Sequence, residues 1–126
     1  MKKLLTITAL VLAMTVGANA AQLSAGPIYS HNGYYAYCWF TNLGNANITP
    51  TLQVMYAWYS TTVLSTYTSC ATNSAVVPGQ SCYISANTAP LTGASCKVVL
   101  STSGGARGSL ELTDEYQNEL SQVELR

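Results

Sequence analysis

Four cysteines set the tightest limit on what this chain can fold into. Cys38, Cys70, Cys82 and Cys96 all lie downstream of an N-terminal segment with the form of an export signal. Met1-Lys2-Lys3 is positive, Leu4 to Val16 is apolar, and Ala18-Asn19-Ala20 is a small-residue cleavage site. The apolar run is about 13 residues, short of the roughly 20 that a bilayer span needs. No second run of that length follows, and no cysteine follows the cleavage site to carry a lipid. The expectation is a signal peptide over residues 1–20, cleaved after Ala20. The remainder would be released into the periplasm or outside a bacterial cell, with no membrane span.

An even number of cysteines in an exported chain implies two disulfides. The spacings of 32, 12 and 14 positions contain no C-x-x-C pair, and the chain has one His, which does not suit a zinc site. Four cysteines allow three connectivities. The favoured one joins Cys70 to Cys82 as a local loop and Cys38 to Cys96 as a long-range tie. Loop closure makes the first worth roughly 3 kcal/mol and the second roughly 4 kcal/mol. Both are large beside a net stability of about 5–15 kcal/mol.

The stretch from Tyr34 to Thr51, YYAYCWFTNLGNANITPT, reads as strand, turn and second strand. Aromatic residues favour a pleated, half-buried surface, and Asn42-Leu43-Gly44-Asn45 tolerates turn geometry. Alternation resumes with Ile48, Leu52, Val54 and Tyr56 on one face and Thr49, Thr51, Gln53 and Met55 on the other. The pattern thus predicts a hairpin, with Tyr56, Trp58 and Tyr59 beside the first aromatic run. Before it, Ala21 to Tyr29 is a strand weakened by Gly26-Pro27, and Ser30-His31-Asn32-Gly33 is a turn.

Thr51 to Val77 has no Gly, no charge and no Pro, and is rich in Thr, Val, Tyr and Ser. It reads as strands with a bend near Ser60-Thr61-Thr62, the second strand spanning Val63 to Ser69. Cys70 to Ser74 is a loop. Ala75-Val76-Val77 and Ser81 to Ala86 are strands about a Pro78-Gly79-Gln80 turn. Asn87 to Gly93 is a loop, Ser95 to Thr102 a strand, Ser103-Gly104-Gly105 a turn, and Ala106 to Leu112 a strand. Seven to eight short strands punctuated at this spacing predict an all-β, immunoglobulin-like antiparallel β-sandwich over residues 21–112.

Residues 113–126 differ in kind. Residues 21–110 carry only Lys97 and Arg107, whereas Glu111, Asp114, Glu115, Glu119, Glu124 and Arg126 crowd the end. This is an acidic tail or a final strand. Alternation of Val123 and Leu125 permits a strand folding back on Ala106–Leu112, and Leu120 with Val123 or Glu124 would instead fit one helical turn. The net charge after cleavage is −2, which gives nucleic acid or an anionic membrane no electrostatic attraction.

The order Cys38-x-x-x-Asn42, a strand, Pro78-Gly79, Cys96 and a strand containing Arg107-Gly108-Ser109-Leu110 resembles small exported bacterial β-sandwich proteins of unknown function. The resemblance spans most of residues 34–112. It implies a sandwich and export, and carries no activity, ligand or catalytic residue.

Catalysis needs a held nucleophile, base or metal. His31 sits in a turn cluster, with Ser24 and Ser30 as possible nucleophiles but no acid in the body to orient its ring. A pair of carboxylates could come only from the tail, from Glu111 with Glu115 or Glu119. Met55 and one His do not compose a copper site. No enzyme, cofactor or metal is expected.

The signal above background is aromatic. If Cys38 faces the core, Tyr35, Tyr37 and Trp39 face outward, and a row of rings can stack on a sugar or another surface. Asn42, Asn45, Asn47 and Gln53 are nearby polar groups in sequence. The expected role is structural or adhesive, a cell-envelope or extracellular protein acting through surface contacts. Carbohydrate binding through Tyr35, Tyr37 and Trp39 is the alternative. A third reading is an inhibitor-like module that binds another protein through Asp114 to Glu124. The partners in view are another envelope protein, a second copy of the chain, or a glycan. The chargeless 51–77 region motivates self-assembly if its strands lie at a sheet edge.

Overall fold

The computed structural model describes residues 21–102 and 105–126. The expected signal segment, and residues 103–104 of the expected turn, lie outside the described residues. The described residues form eight strands: β1 (Ala21–Tyr29), β2 (Tyr35–Asn42), β3 (Pro50–Ala57), β4 (Tyr67–Thr68), β5 (Ser81–Asn87), β6 (Gly93–Leu100), β7 (Ala106–Thr113) and β8 (Glu119–Glu124). They form an antiparallel β-sandwich. One sheet has the order β1-β6-β3, and the other β4-β5-β2-β7-β8.

Strand β2 is the central strand of the larger sheet, and its alternation explains why. Ala36, Cys38, Phe40 and Asn42 are buried, while Tyr35, Tyr37, Trp39 and Thr41 lie half-exposed on the outer face. The buried side meets Cys96, Val98 and Leu100 of β6, which alternate in the same way. Cys38 and Cys96 are bonded across the two sheets, and Cys70 is bonded to Cys82. The favoured pairing is therefore the one present. On the other side of β2, Gly108 of β7 sits where a Cβ would collide with the Trp39 carbonyl oxygen. A glycine there lets β7 close against β2 beneath the outer aromatic row.

The expected hairpin is absent, because β2 and β3 belong to different sheets. Asn42 redirects the chain. Its buried side chain donates from Nδ2 to the Ala46 and Val76 carbonyls, at 2.8 and 2.9 Å, and accepts from the Gly44 N–H at 3.0 Å. A side chain that satisfies local backbone groups in this way competes with ladder formation. Ile48 then bridges Val76 rather than continuing a hairpin. The two expected faces of β3 do not divide core from solvent, because Val54 is buried with Met55 while Leu52 is not. Met55 is fully buried, whereas Leu52 is 41% exposed. A register shift between Pro50 and Leu52 inserts one residue, and one residue exchanges the two faces of a strand.

Residues 58–76 hold less regular strand than expected. The Val63–Ser69 strand reduces to a Tyr56–Val63 bridge and the two residues of β4. Here the chain turns back on β3 itself: Ala57 N–H donates to Thr62 O at 2.9 Å and Leu64 N–H to Met55 O at 2.8 Å. Local hydroxyl bonds, including Ser60 to Thr62, hold the turn. Of the expected 75–77 strand only Val76 pairs, so Pro78-Gly79 leads out of the Ile48 bridge and is not a hairpin turn.

The acidic end is a strand. β8 pairs antiparallel with β7. Beyond it Leu125 enters the core, and Arg126 exchanges two backbone hydrogen bonds with Ser24 of β1, at 2.8 and 2.9 Å. The last two residues therefore join one edge of the larger sheet to one edge of the smaller.

Candidate functional site

The outer face of the larger sheet carries a packed group of aromatic side chains. Ladder register sets it out. Tyr37 lies between Ser85 of β5 and Glu111 of β7, and Trp39 lies between Tyr83 and Ser109. β4 adds Tyr67, in register with Ser85. The rings touch one another: Trp39 to Tyr83 at 4.5 Å between centroids, Tyr37 to Tyr83 at 5.9 Å, Tyr67 to Tyr83 at 6.2 Å and Tyr37 to Trp39 at 6.4 Å. Distances in this range are those of mutually packed aromatic pairs. The result is a tiled apolar platform on the solvent side of the sheet. The Cys70–Cys82 bond fastens the loop after β4 to β5, beside Tyr67 and Tyr83.

A hollow of about 380 Å³ opens at one side of the platform, lined by Tyr37, Trp39, Tyr83, Glu111, Thr113 and Gln117. Glu111 and Thr113 come from β7, two residues apart and so on one face. Gln117 comes from the β7–β8 turn. Asp114 builds that turn: its Oδ1 accepts from the Tyr116 and Asn118 N–H groups, each at 2.9 Å. The Asp114 N–H donates to the Asn118 carbonyl at 3.0 Å, and Gln117 takes a left-handed backbone with φ of 66°.

Glu111 and Tyr37 at the hollow, and Asp114 in the adjoining turn, depart from their ordinary proton affinities. Burial, and then the negative charge of Glu119, push the Glu111 carboxyl above its ordinary range. Burial raises the Tyr37 phenol, with Tyr83, Tyr35 and Glu111 adding to the effect. The Asn118 side chain and N–H, with the Tyr116 N–H, hold Asp114 below its ordinary range against a smaller effect of burial. Thr113 is 2% exposed, and its Oγ1 has no hydrogen-bond partner among the described residues. A buried hydroxyl left unpaired costs about 1–3 kcal/mol.

Of the residues singled out from sequence, Tyr35, Tyr37 and Trp39 share the outer face. Tyr37 and Trp39 join the platform. Tyr35 packs edge-on to Tyr34 at 4.7 Å. Trp58 and Tyr59 are not beside them: they follow β3, in the other sheet, where Trp58 stacks on Tyr29 at 4.4 Å. The polar companions read from sequence also lie elsewhere. Asn42 is buried in the crossover, Asn45 and Asn47 are exposed on it, and Gln53 is on β3. His31 is exposed in the β1–β2 turn.

Tyr83, Tyr67, Thr113 and Gln117 carried no signal of their own in the sequence. Tyr83 was within reach, because its alternation with Cys82 and Ile84 puts it on the outer face. Its pairing with Trp39 depends on strand order, which the sequence does not display. Comparison with protein-family models, with curated proteins and with solved structures finds no match for this chain.

Proposed function

We propose that this protein is an exported, non-catalytic contact module with an adhesive or structural role in a bacterial envelope or outside the cell, acting through the aromatic face of its larger sheet. The observation that carries this reading is the contiguous platform of Tyr37, Trp39, Tyr67 and Tyr83 on the side of the sheet away from the core. A joined aromatic surface on a domain of this size marks a contact. Two disulfides fit an oxidising compartment, where such bonds persist. Co-sedimentation with isolated cell envelopes tests it. The oxidised protein should pellet with them, and Trp39→Ala with Tyr83→Ala should abolish pelleting while unfolding stays cooperative. Equal pelleting of the double variant would reject the platform as the contact surface.

Self-assembly is the second reading, and one observation favours it. β3 and β4, from the chargeless region, are both edge strands. The chain shields them in part, through the 62–64 segment laid on β3 and the two-residue length of β4. The opposite edge, β8, begins and ends with Glu119 and Glu124, charges that oppose edge pairing. Native mass spectrometry before and after reduction separates the readings: a bonded monomer supports ligand contact, and a ladder of oligomers supports assembly.

A further inference from the structure

We infer that the hollow beside the platform is a subsite for one unit of a neutral saccharide, with Trp39 and Tyr83 taking the apolar face of the sugar and Thr113, Glu111 and Gln117 taking its hydroxyls. This rests on the contact-module reading above and names the ligand class of that same face. Three observations converge on it.

The first is shape. The hollow, about 380 Å³, is at the small end of ligand sites, which run from about 300 to 1,000 Å³. It is bounded on one side by rings and on the other by polar groups. A pyranose has this division, with C–H groups on its faces and hydroxyls around its rim.

The second is the donor and acceptor inventory. An ionised carboxylate only accepts, an amide does both, and a hydroxyl does both. Together Glu111, Gln117 and Thr113 can meet vicinal hydroxyls, each of which donates and accepts. Thr113 adds the sharper indication, because its Oγ1 is buried and unpaired at the margin of the hollow. A ligand hydroxyl would supply the partner that the described residues do not. Thr113 is only 2% exposed, so its surroundings must shift locally to admit the ligand hydroxyl.

The third is charge and ring spacing, which separate a neutral sugar from its competitors. No Lys or Arg lines the hollow, and Glu111 repels anions, so a phosphate or an acidic sugar is disfavoured. A quaternary ammonium would need ring faces held apart to enclose it. Here Trp39 and Tyr83 are in contact at 4.5 Å, which tiles the rings into a surface and leaves no cage between them.

The test is an NMR titration of the oxidised protein with cellohexaose, maltohexaose, xylohexaose and chitohexaose, and with choline as a cationic control. At least one hexasaccharide should shift the signals of Trp39, Tyr83, Thr113 and Gln117 at millimolar concentration or below. Trp39→Ala should abolish those shifts. Thr113→Val keeps the shape and removes only the hydroxyl. It should weaken binding by about tenfold, equivalent to about 1.4 kcal/mol, and leave the melting temperature of the free protein unchanged or higher. Thr113→Ser should restore binding. Absence of shifts with all four sugars overturns the inference, as does a response to choline alone. Unchanged affinity in Thr113→Val overturns the assigned subsite. If envelope pelleting stays sensitive to Trp39→Ala while no hexasaccharide binds, the contact reading stands and a protein partner replaces the sugar. Loss of both removes both.

Discussion

Tyr29, Trp58 and Tyr59 form one aromatic cluster, and Tyr37, Trp39, Tyr67 and Tyr83 form another. The first is a clasp. Trp58 stacks on Tyr29 of β1 at 4.4 Å, and its backbone N–H donates to Gly93 O of β6 at 3.2 Å. A Cβ on Gly93 would lie 2.9 Å from Trp58 Cγ, so the ring fits only because that residue has no side chain. One residue, through its ring and its backbone, therefore links all three strands of the smaller sheet at its end. The second cluster links little that the β2–β5 ladder does not already hold. It lies over that ladder and borders a hollow with a carboxyl, a hydroxyl and an amide. Aromatic density alone is thus ambiguous. What separates a clasp from a contact surface is whether the rings join separate segments or cover one already joined, and which polar groups stand beside them.

The largest expected effect removes the support that both clusters share. Cys38→Ala with Cys96→Ala opens a bond spanning 58 positions between the sheets, and should cost roughly 4 kcal/mol in chemical denaturation. The near-ultraviolet signals of both clusters should vanish in one transition. Two transitions would show that the clusters belong to separately cooperative units. Cys70→Ala with Cys82→Ala opens a loop of 12 positions. Its cost should be lower, at most roughly 3 kcal/mol, and felt chiefly at Tyr67.

A direct contrast comes next. Trp58→Ala should cost about 2–3 kcal/mol, toward the low end for loss of a large aromatic, because the ring is only partly covered. Trp39→Ala, at a ring covered to a similar degree, should cost less than Trp58→Ala because two ladders already hold its strand, yet remove the contact function. Urea denaturation measures both variants. If Trp39→Ala proves the more damaging to stability, the platform is structural and the distinction fails.

These elements also show where sequence reading succeeds and stops. Alternation is a local property, so the outward direction of Tyr37 and Trp39 followed from the burial of Cys38. The sandwich class was legible for the same reason, whereas the acidic end read equally as a tail, a helical turn or the strand that it is. Strand order is not local. The Asn42 turn looked like hairpin chemistry, but its amide reaches Val76, 34 positions away, and turns the chain toward the other sheet. One bulged residue near Pro50 was enough to bring Met55, and not Leu52, into the core. The site was half legible on these terms: the rings of β2 could be read, while Tyr83, Thr113 and Gln117 meet them only through pairing and a turn. Thr113 is the extreme case, since nothing in a sequence marks a hydroxyl that burial leaves unpaired.

The smallest expected effect is a difference in pH response between two carboxyls on the β7–β8 hairpin. Glu111, against the platform, has a folded value raised by burial and by Glu119, with the Tyr37 phenol also beside it. A raised carboxyl binds its proton more tightly in the folded state. Its contribution to stability is complete below the unfolded value of about 4.3 and is lost as pH rises through the folded value. Asp114, in the turn, is lowered by its Asn118 bonds. Its contribution is present above its unfolded value and lost as pH falls through the folded one. Melting temperatures taken from pH 3 to 7 should therefore respond in opposite senses. Glu111→Gln should raise stability at pH 7 and flatten the profile just above about pH 4.3. Asp114→Asn should lower stability at pH 7 and flatten the more acidic limb. The turn residue then supports the fold at neutral pH, while the platform residue weakens it. With these outcomes Glu111 would be a charge held beside the rings at some cost to the fold, which fits a contact surface better than a clasp. Matching responses from the two variants would remove that last difference between the platform and ordinary surface.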